Sequence, residues 1–307
     1  MGKDSSTLLT GLVMGAASTL ATIPGLESIK LIEGAEASYE IFGAKGKKPL
    51  IDTGFFRLYV AKLPTGQIGF MKISVTADNN SALETEAELL QRMRDLANEI
   101  DAPLPAQGKF NYGAFFPMLV EQIDAGGRVA LILGFDPSIG SYKQLNPIAR
   151  ALNGQRVDLK TGVWLLVKQL KVLDFIHRQM GIVLNRVSAG NLLIETAKHG
   201  VFYLDWSEAS EGIEEDFRDE VSSAAKIVWE VCGGADSSEP PHDEDLMTRD
   251  QHYDYVALLR RMIDEPKTAL EEYDALYELS DSIWPKVPNA DGTGMKRQFH
   301  EWVTYTK

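Results

Sequence analysis

The chain is poor in the residues from which metal and redox sites are built. Its 307 residues contain one cysteine, Cys232, and five scattered histidines, with no pair at the spacing of a zinc ligand set. A lone thiol cannot close an internal disulfide, and its neighbours Ile227 and Val231 suggest a buried position on a helix. That fits a reducing compartment and a cytoplasmic protein. Positive charge is scarce as well: 31 Lys and Arg face 44 Asp and Glu, for a net charge of −13. Such a surface repels phosphate backbones and anionic lipid unless basic residues are segregated into a patch. The one dense basic cluster, Lys45, Lys47 and Lys48, sits in a Gly-rich stretch that reads as solvated loop. Nucleic-acid binding is therefore disfavoured.

Long apolar runs are missing too, with one exception. Thr7 to Leu26 carries no charge over twenty residues, enough to span a bilayer. Nine of them are Gly, Ser, Thr or Pro, however, and Pro24-Gly25 closes the run like a helix stop. Leu8, Leu9, Leu12, Ala16, Leu20 and Ile23 fall near one helical face. The expectation is a segment, residues 1–30, that docks on this protein or on a protein partner. Membrane association through residues 7–26 is the alternative. Met1-Gly2-Lys3-Asp4-Ser5-Ser6 also fits the loose myristoylation pattern, and a signal peptide ending near Ala16-Ala17 is a further reading.

What remains is ordinary globular material, 44% hydrophobic and 24% charged, long enough to bury one large core or two lobes. Phe55 to Ala61 is rich in β-formers, Pro64-Thr65-Gly66 makes a turn, and Ile68 to Ile73 follows, which predicts a hairpin. Leu83, Ala87, Leu90, Met93 and Leu96 recur at helical spacing and predict a helix over 82–98. Strands are expected over 115–122 and 128–135 around the turn chemistry of Asp124-Ala125-Gly126-Gly127. After Pro137 the character changes: a long amphipathic helix is expected over 158–178, and helical patterns dominate from Asp219 through Trp302. The expected fold is α+β, with a β-rich half over 31–136 and a larger helical half over 137–307.

Spaced features within this frame resemble the protein-kinase-like superfamily. Phe70-Met71-Lys72-Ile73 resembles the strand whose lysine holds nucleotide phosphates, and Glu86, fourteen residues on, stands where the helix glutamate that pairs with that lysine belongs. The stretch Val172 to Ile194, VLDFIHRQMGIVLNRVSAGNLLI, resembles the run through the catalytic loop. Leu184, Asn185 and Arg186 then occupy the His-Arg-Asp positions, and Asn191 falls at the metal-binding asparagine. Asp205-Trp206-Ser207 resembles the metal-binding Asp-Phe-Gly, and Asp219-Glu220-Val221-Ser222 the helix start that anchors the catalytic loop through its first aspartate.

The resemblance implies a bilobal kinase-like fold with candidate nucleotide-binding residues Lys72, Glu86, Gly54, Asn191 and Asp205, the last two also as metal ligands. It implies equally that the chemistry is lost. Arg186 stands where a carboxylate would accept the substrate's proton, and a guanidinium is a permanent cation. Ile51, Thr53 and Phe56 occupy the three glycine positions of the phosphate-covering loop, with only Gly54 nearby, so side chains would crowd a triphosphate. Thirteen residues separate Asp205 from Asp219, too few for a long activation loop. Plainer readings stand beside these: Lys72 as an exposed strand lysine, Glu86 as a solvated helix residue, Asn191 as a turn asparagine and Asp205 as a strand-end cap.

The leading expectation is a pseudokinase that acts as a protein-binding regulatory or scaffold module, with weak binding of ATP and Mg²⁺ through the surviving polar groups. An active small-molecule kinase or atypical nucleotide transferase on the same fold is one alternative. A purely structural subunit is the other.

Overall fold

A computed structural model describes residues 26–101, 112–135, 145–196, 200–235, 241, 248–296 and 302–306. The docking segment expected over 1–30 lies outside the described residues as far as Gly25, as do the myristoylation pattern and the signal-peptide reading. Residues 26–30 are part of a strand, which corrects that boundary. No helix among the described residues is long and apolar enough to cross a membrane.

The chain forms a mixed α+β structure, with an antiparallel sheet in its N-terminal part and most helices later. Its described residues divide into two compact units, one of those up to Ala151 together with those within Gly190–Ala209, the other of those within Leu152–Ala189 and from Ser210 onward. The expected single division at 136/137 is thus replaced by three crossings of the chain between units.

In the first unit, β1 (Leu26–Glu33), β2 (Ser38–Ala44), β3 (Ile51–Asp52), β4 (Phe56–Lys62) and β5 (Ile68–Ser74) precede helix α1 (Asn80–Asp101), which is followed by β6 (Met118–Asp124) and β7 (Val129–Gly134). The strands make one seven-stranded sheet in the order β1-β2-β4-β5-β7-β6, and the short β3 pairs with β4 where β2 leaves off. The predicted hairpin is β4–β5, paired from Phe56↔Ser74 to Lys62↔Ile68. The predicted turn at 124–127 joins β6 to β7, where Gly126 and Gly127 take φ of 74° and 80°. Successive positive φ is the geometry that matches strand twist in a tight hairpin, and glycine adopts it without strain.

Alternation along the strands separates two faces. Tyr39, Ile41, Ala61, Met71, Ile73, Ala130 and Ile132 form a buried cluster on one; Leu58, Val60, Phe70 and Lys72 belong to the other. The sheet curls on itself: Glu121 of β6 accepts hydrogen bonds from the Tyr39 hydroxyl at 2.7 Å and from the Ala35 amide in the β1–β2 turn. Asn80 pins the start of α1, accepting from the Ser74 hydroxyl and the Val129 amide and donating to the Gly127 carbonyl. A small sheet of β8 (Leu145–Pro147), β11 (Leu192–Glu195) and β12 (Gly200–Tyr203) completes the unit beside the short α2 (Ile148–Leu152), which crosses into the second.

The second unit holds β9 (Arg156–Val157), α3 (Leu159–Asp174), β10 (Ile182–Val183), β13 (Ser210–Glu211), α4 (Glu214–Val231), α5 (Arg249–Asp264) and α6 (Ala269–Ile283), followed by β14 (Val287–Pro288), β15 (Met295–Lys296) and β16 (Thr304–Tyr305). Asp158 caps α3 by accepting from the Thr161 amide at 2.6 Å, while Thr248 and Thr268 cap α5 and α6 in capping boxes. The helix expected through 178 is α only to Asp174 and continues as a π-helical turn over Phe175–Met180 before Gly181. Helix also ends earlier than expected at the C-terminus, at Ile283. Pro285 and Pro288 lack the amide a helix needs, and residues 287–296 fold as a hairpin instead. Cys232 is buried at the end of α4, and burial pushes its thiol pKa up, which makes it unreactive.

Candidate functional site

Lys72 is the middle of the site. It lies on β5, which is flanked by β4 and β7, and only 1% of the residue is exposed. Its ammonium donates to Glu86 Oε2 of α1 at 2.6 Å and to Asp205 Oδ1, just after β12. Glu86 is completely buried, two turns into the helix that Asn80 pins to the sheet. Its other oxygen accepts from the Trp206 backbone amide at 3.1 Å. Burial raises the Glu86 pKa, Lys72 opposes that rise, and the nearby Asp205 carboxylate reinforces it. One cation is held between two carboxylates in a site almost closed to water.

The ring of Phe56 covers the ammonium from β4, with Nζ 4.0 Å from its centroid. Phe56 and Lys72 share a sheet face, two residues from the Leu58↔Lys72 pair. An ammonium has three protons and no other polar capacity. Here two sides face carboxylates and a third faces the negative face of an aromatic ring, a favourable cation–π geometry.

Asn191 and Asp205 are brought together as well, but through the asparagine's amide. Its Oδ1 accepts from the Leu204 amide at 3.1 Å and the Asp205 amide at 2.7 Å, and its Nδ2 donates to the Asp205 carbonyl at 3.0 Å. This side chain clamps the end of β12 to the start of β11. Asp205 Oδ1 also accepts from Ser207, by its hydroxyl at 2.7 Å and its amide at 3.2 Å. Trp206 is buried, donates from its indole to the Tyr203 carbonyl, and meets Phe116 edge to face at 5.8 Å.

These partners test the fit of a nucleotide and its metal. A carbonyl-type oxygen has two lone pairs, and both of Asn191's are taken by backbone donors. Among the described residues no cluster of His, Cys, Asp or Glu is arranged to hold a metal ion. In this arrangement the Asn191 oxygen is turned to the backbone of 204–205 and the Asp205 Oδ1 to Lys72 and Ser207. Gly54 is not part of the cluster: it sits at φ 85° in the exposed β3–β4 turn, its amide donating to Asp52.

Arg186 and Asn185 belong to the second unit. Arg186 is half-buried, and Asn185 precedes it at φ 60°, a left-handed conformation that asparagine tolerates better than most residues. Glu220 of α4 holds this loop, accepting from the Asn185 amide at 2.7 Å and contacting His177 Nε2 at 2.8 Å. The His177 ring stacks on Phe217. The anchor is therefore Glu220 and not Asp219, which is exposed. Helical phase carried that signal: Glu220 lies on the stripe of Val221, Ala224 and Val228. Ser207 and the capping role of Phe56 were also missed; Phe56 stood out only as a bulky residue at a glycine position. No family model matches the chain, and no curated protein matches it.

Proposed function

We propose that this chain is a kinase-like protein without phosphotransfer activity, a pseudokinase, and that it works as a protein-binding regulatory or scaffold module. The observation that carries this reading is the Phe56 ring set over the Lys72 ammonium, since the Lys72–Glu86 pair beside it is one that a working site also makes. A strand lysine, a helix glutamate and a strand-end aspartate in this order are the groups that a phosphate-handling site of this superfamily would leave behind. Here Lys72 engages both carboxylates. Arg186 at the position of the proton acceptor cannot take a proton, which removes the remaining chemical step.

Purified protein incubated with ATP and Mg²⁺ or Mn²⁺ should label neither itself nor generic protein and small-molecule substrates, as read by mass spectrometry. Robust turnover that disappears in Asp205→Ala would overturn the reading in favour of an active kinase or transferase. The partner side rests on the uncharged stretch Thr7–Leu26, proposed as the attachment element. Deleting residues 1–25 should leave a folded body that no longer co-purifies with its protein partner. Full-length protein that stays in the membrane pellet through carbonate washing, with a soluble truncation, would show a lipid anchor instead.

A further inference from the structure

We propose that Phe56 is a built-in plug: its ring occupies the face of the Lys72 ammonium that a phosphate group would need, and thereby excludes nucleoside triphosphates from this chain. The idea rests on the kinase-like reading only for the choice of ligand; the plug itself is a matter of geometry.

Phe56 is only 5% exposed and is not loosely placed. Phe56 opens β4, paired with Ser74, and the turn before it is laced by hydrogen bonds. Thr53 Oγ1 accepts from the amides of Phe55 and Phe56, and the Thr53 amide donates to the Phe56 carbonyl. Asp52 accepts from the Gly54 amide and the Arg57 guanidinium, and the Phe55 carbonyl accepts from Val75. A glycine at position 56 would leave the ammonium with an open side; phenylalanine fills that side with a π face that attracts the cation. Anions bind lysine as a point charge, so a phosphate must displace the ring before it can gain anything from Lys72.

Two measurements on the full chain test this. Acetylation by a small amine-reactive ester, mapped by mass spectrometry, should modify exposed Lys45 in the wild type and leave Lys72 unmodified. In Phe56→Ala, Lys72 should become reactive. Calorimetric titration with ATP and Mg²⁺ should find wild-type affinity weaker than about 1 mM and a gain of about tenfold or more in Phe56→Ala, the size of a desolvated cation–π contact. Phe56→Leu keeps apolar bulk while removing the π face, so it serves if the alanine variant does not fold; a smaller gain of the same sign is expected.

Wild-type binding that depends on Lys72 would overturn the proposal. So would a folded Phe56 variant in which Lys72 stays unreactive or ATP affinity does not rise. Phosphotransfer by the wild type would sink the pseudokinase reading separately, since the plug is judged on the difference between variants.

Discussion

Replacing Lys72 with methionine isolates the energetics of the closed site. Methionine keeps the length and apolar stem of lysine but removes the one cation between Glu86 and Asp205. Glu86 is fully buried and the Asp205 side chain is 10% exposed, so water cannot replace the lost partner. Breaking a buried ion pair by removing one member costs about 3–5 kcal/mol, because a desolvated charge remains. Loss of the cation–π contact adds about 0.5–2 kcal/mol. Against a total stability of about 5–15 kcal/mol for a typical domain, the first unit should be left near its threshold at neutral pH.

The same physics predicts how to recover it. Glu86→Gln in the Lys72→Met background removes one stranded charge while keeping an oxygen for the Trp206 amide, and should regain about half of the loss, roughly 2 kcal/mol. Mild acid should also help Lys72→Met relative to the wild type, because Glu86, whose pKa burial already raises, can then protonate. The pKa lies above the unfolded value, so the neutral carboxyl favours folding below the unfolded pKa, and that contribution is lost as pH rises through the folded pKa. Urea denaturation followed by far-UV circular dichroism at several pH values measures all three. A Lys72→Met variant within about 1 kcal/mol of wild type at neutral pH would refute the reasoning, since a site that tolerates the loss must be wet or open.

Asn191→Ala should cost about 1–3 kcal/mol by stranding the Asp205 amide, while a chelator leaves wild-type stability unchanged. Chelator-sensitive stability with a silent Asn191→Ala would point to a metal-ligand role instead. Glu220→Ala should destabilise the second unit by about 2–4 kcal/mol and Asp219→Ala by under about 0.5 kcal/mol, both read by thermal melting; equal effects would contradict the assigned anchor. Although burial pulls the Glu121 pKa upward, hydrogen bonds from the Tyr39 hydroxyl and the Ala35 and Glu36 amides hold it below its ordinary value. Its stabilising contribution is therefore present above the unfolded carboxylate pKa and lost as pH falls through the lower folded value. Tyr39→Phe should flatten that acid limb in a pH series of melts, and an unchanged limb would exclude Glu121 as its source.

The elements that could be read from sequence are those whose cause is local. Pro64-Thr65-Gly66 between two β-rich runs sets the β4–β5 hairpin, paired glycines set the β6–β7 turn, and the Leu83–Met93 spacing sets α1, because turn chemistry and amphipathic period act over a few residues. Where the local signal was weak or overridden, expectation and structure parted. The bulge between Ser28 and Lys30 and the exposure of most of β1 blur its alternation, and prolines end the helical run after Ile283.

The residue types of the site were legible at their spacings, Lys72, Glu86, Asn191 and Asp205 among them. Their present use was not. Lys72 meets Asp205 across 133 residues of chain, and Phe56 reaches the ammonium only because β4 and β5 pair in one register. Asn191 spends its oxygen on two amides because antiparallel pairing sets the start of β11 opposite the end of β12. Which polar groups face a ligand and which face one another depends on angles and burial fixed by the whole packed unit. Composition and spacing determine what groups are available; only the tertiary structure decides that the ammonium's surroundings are already filled by the protein's own side chains.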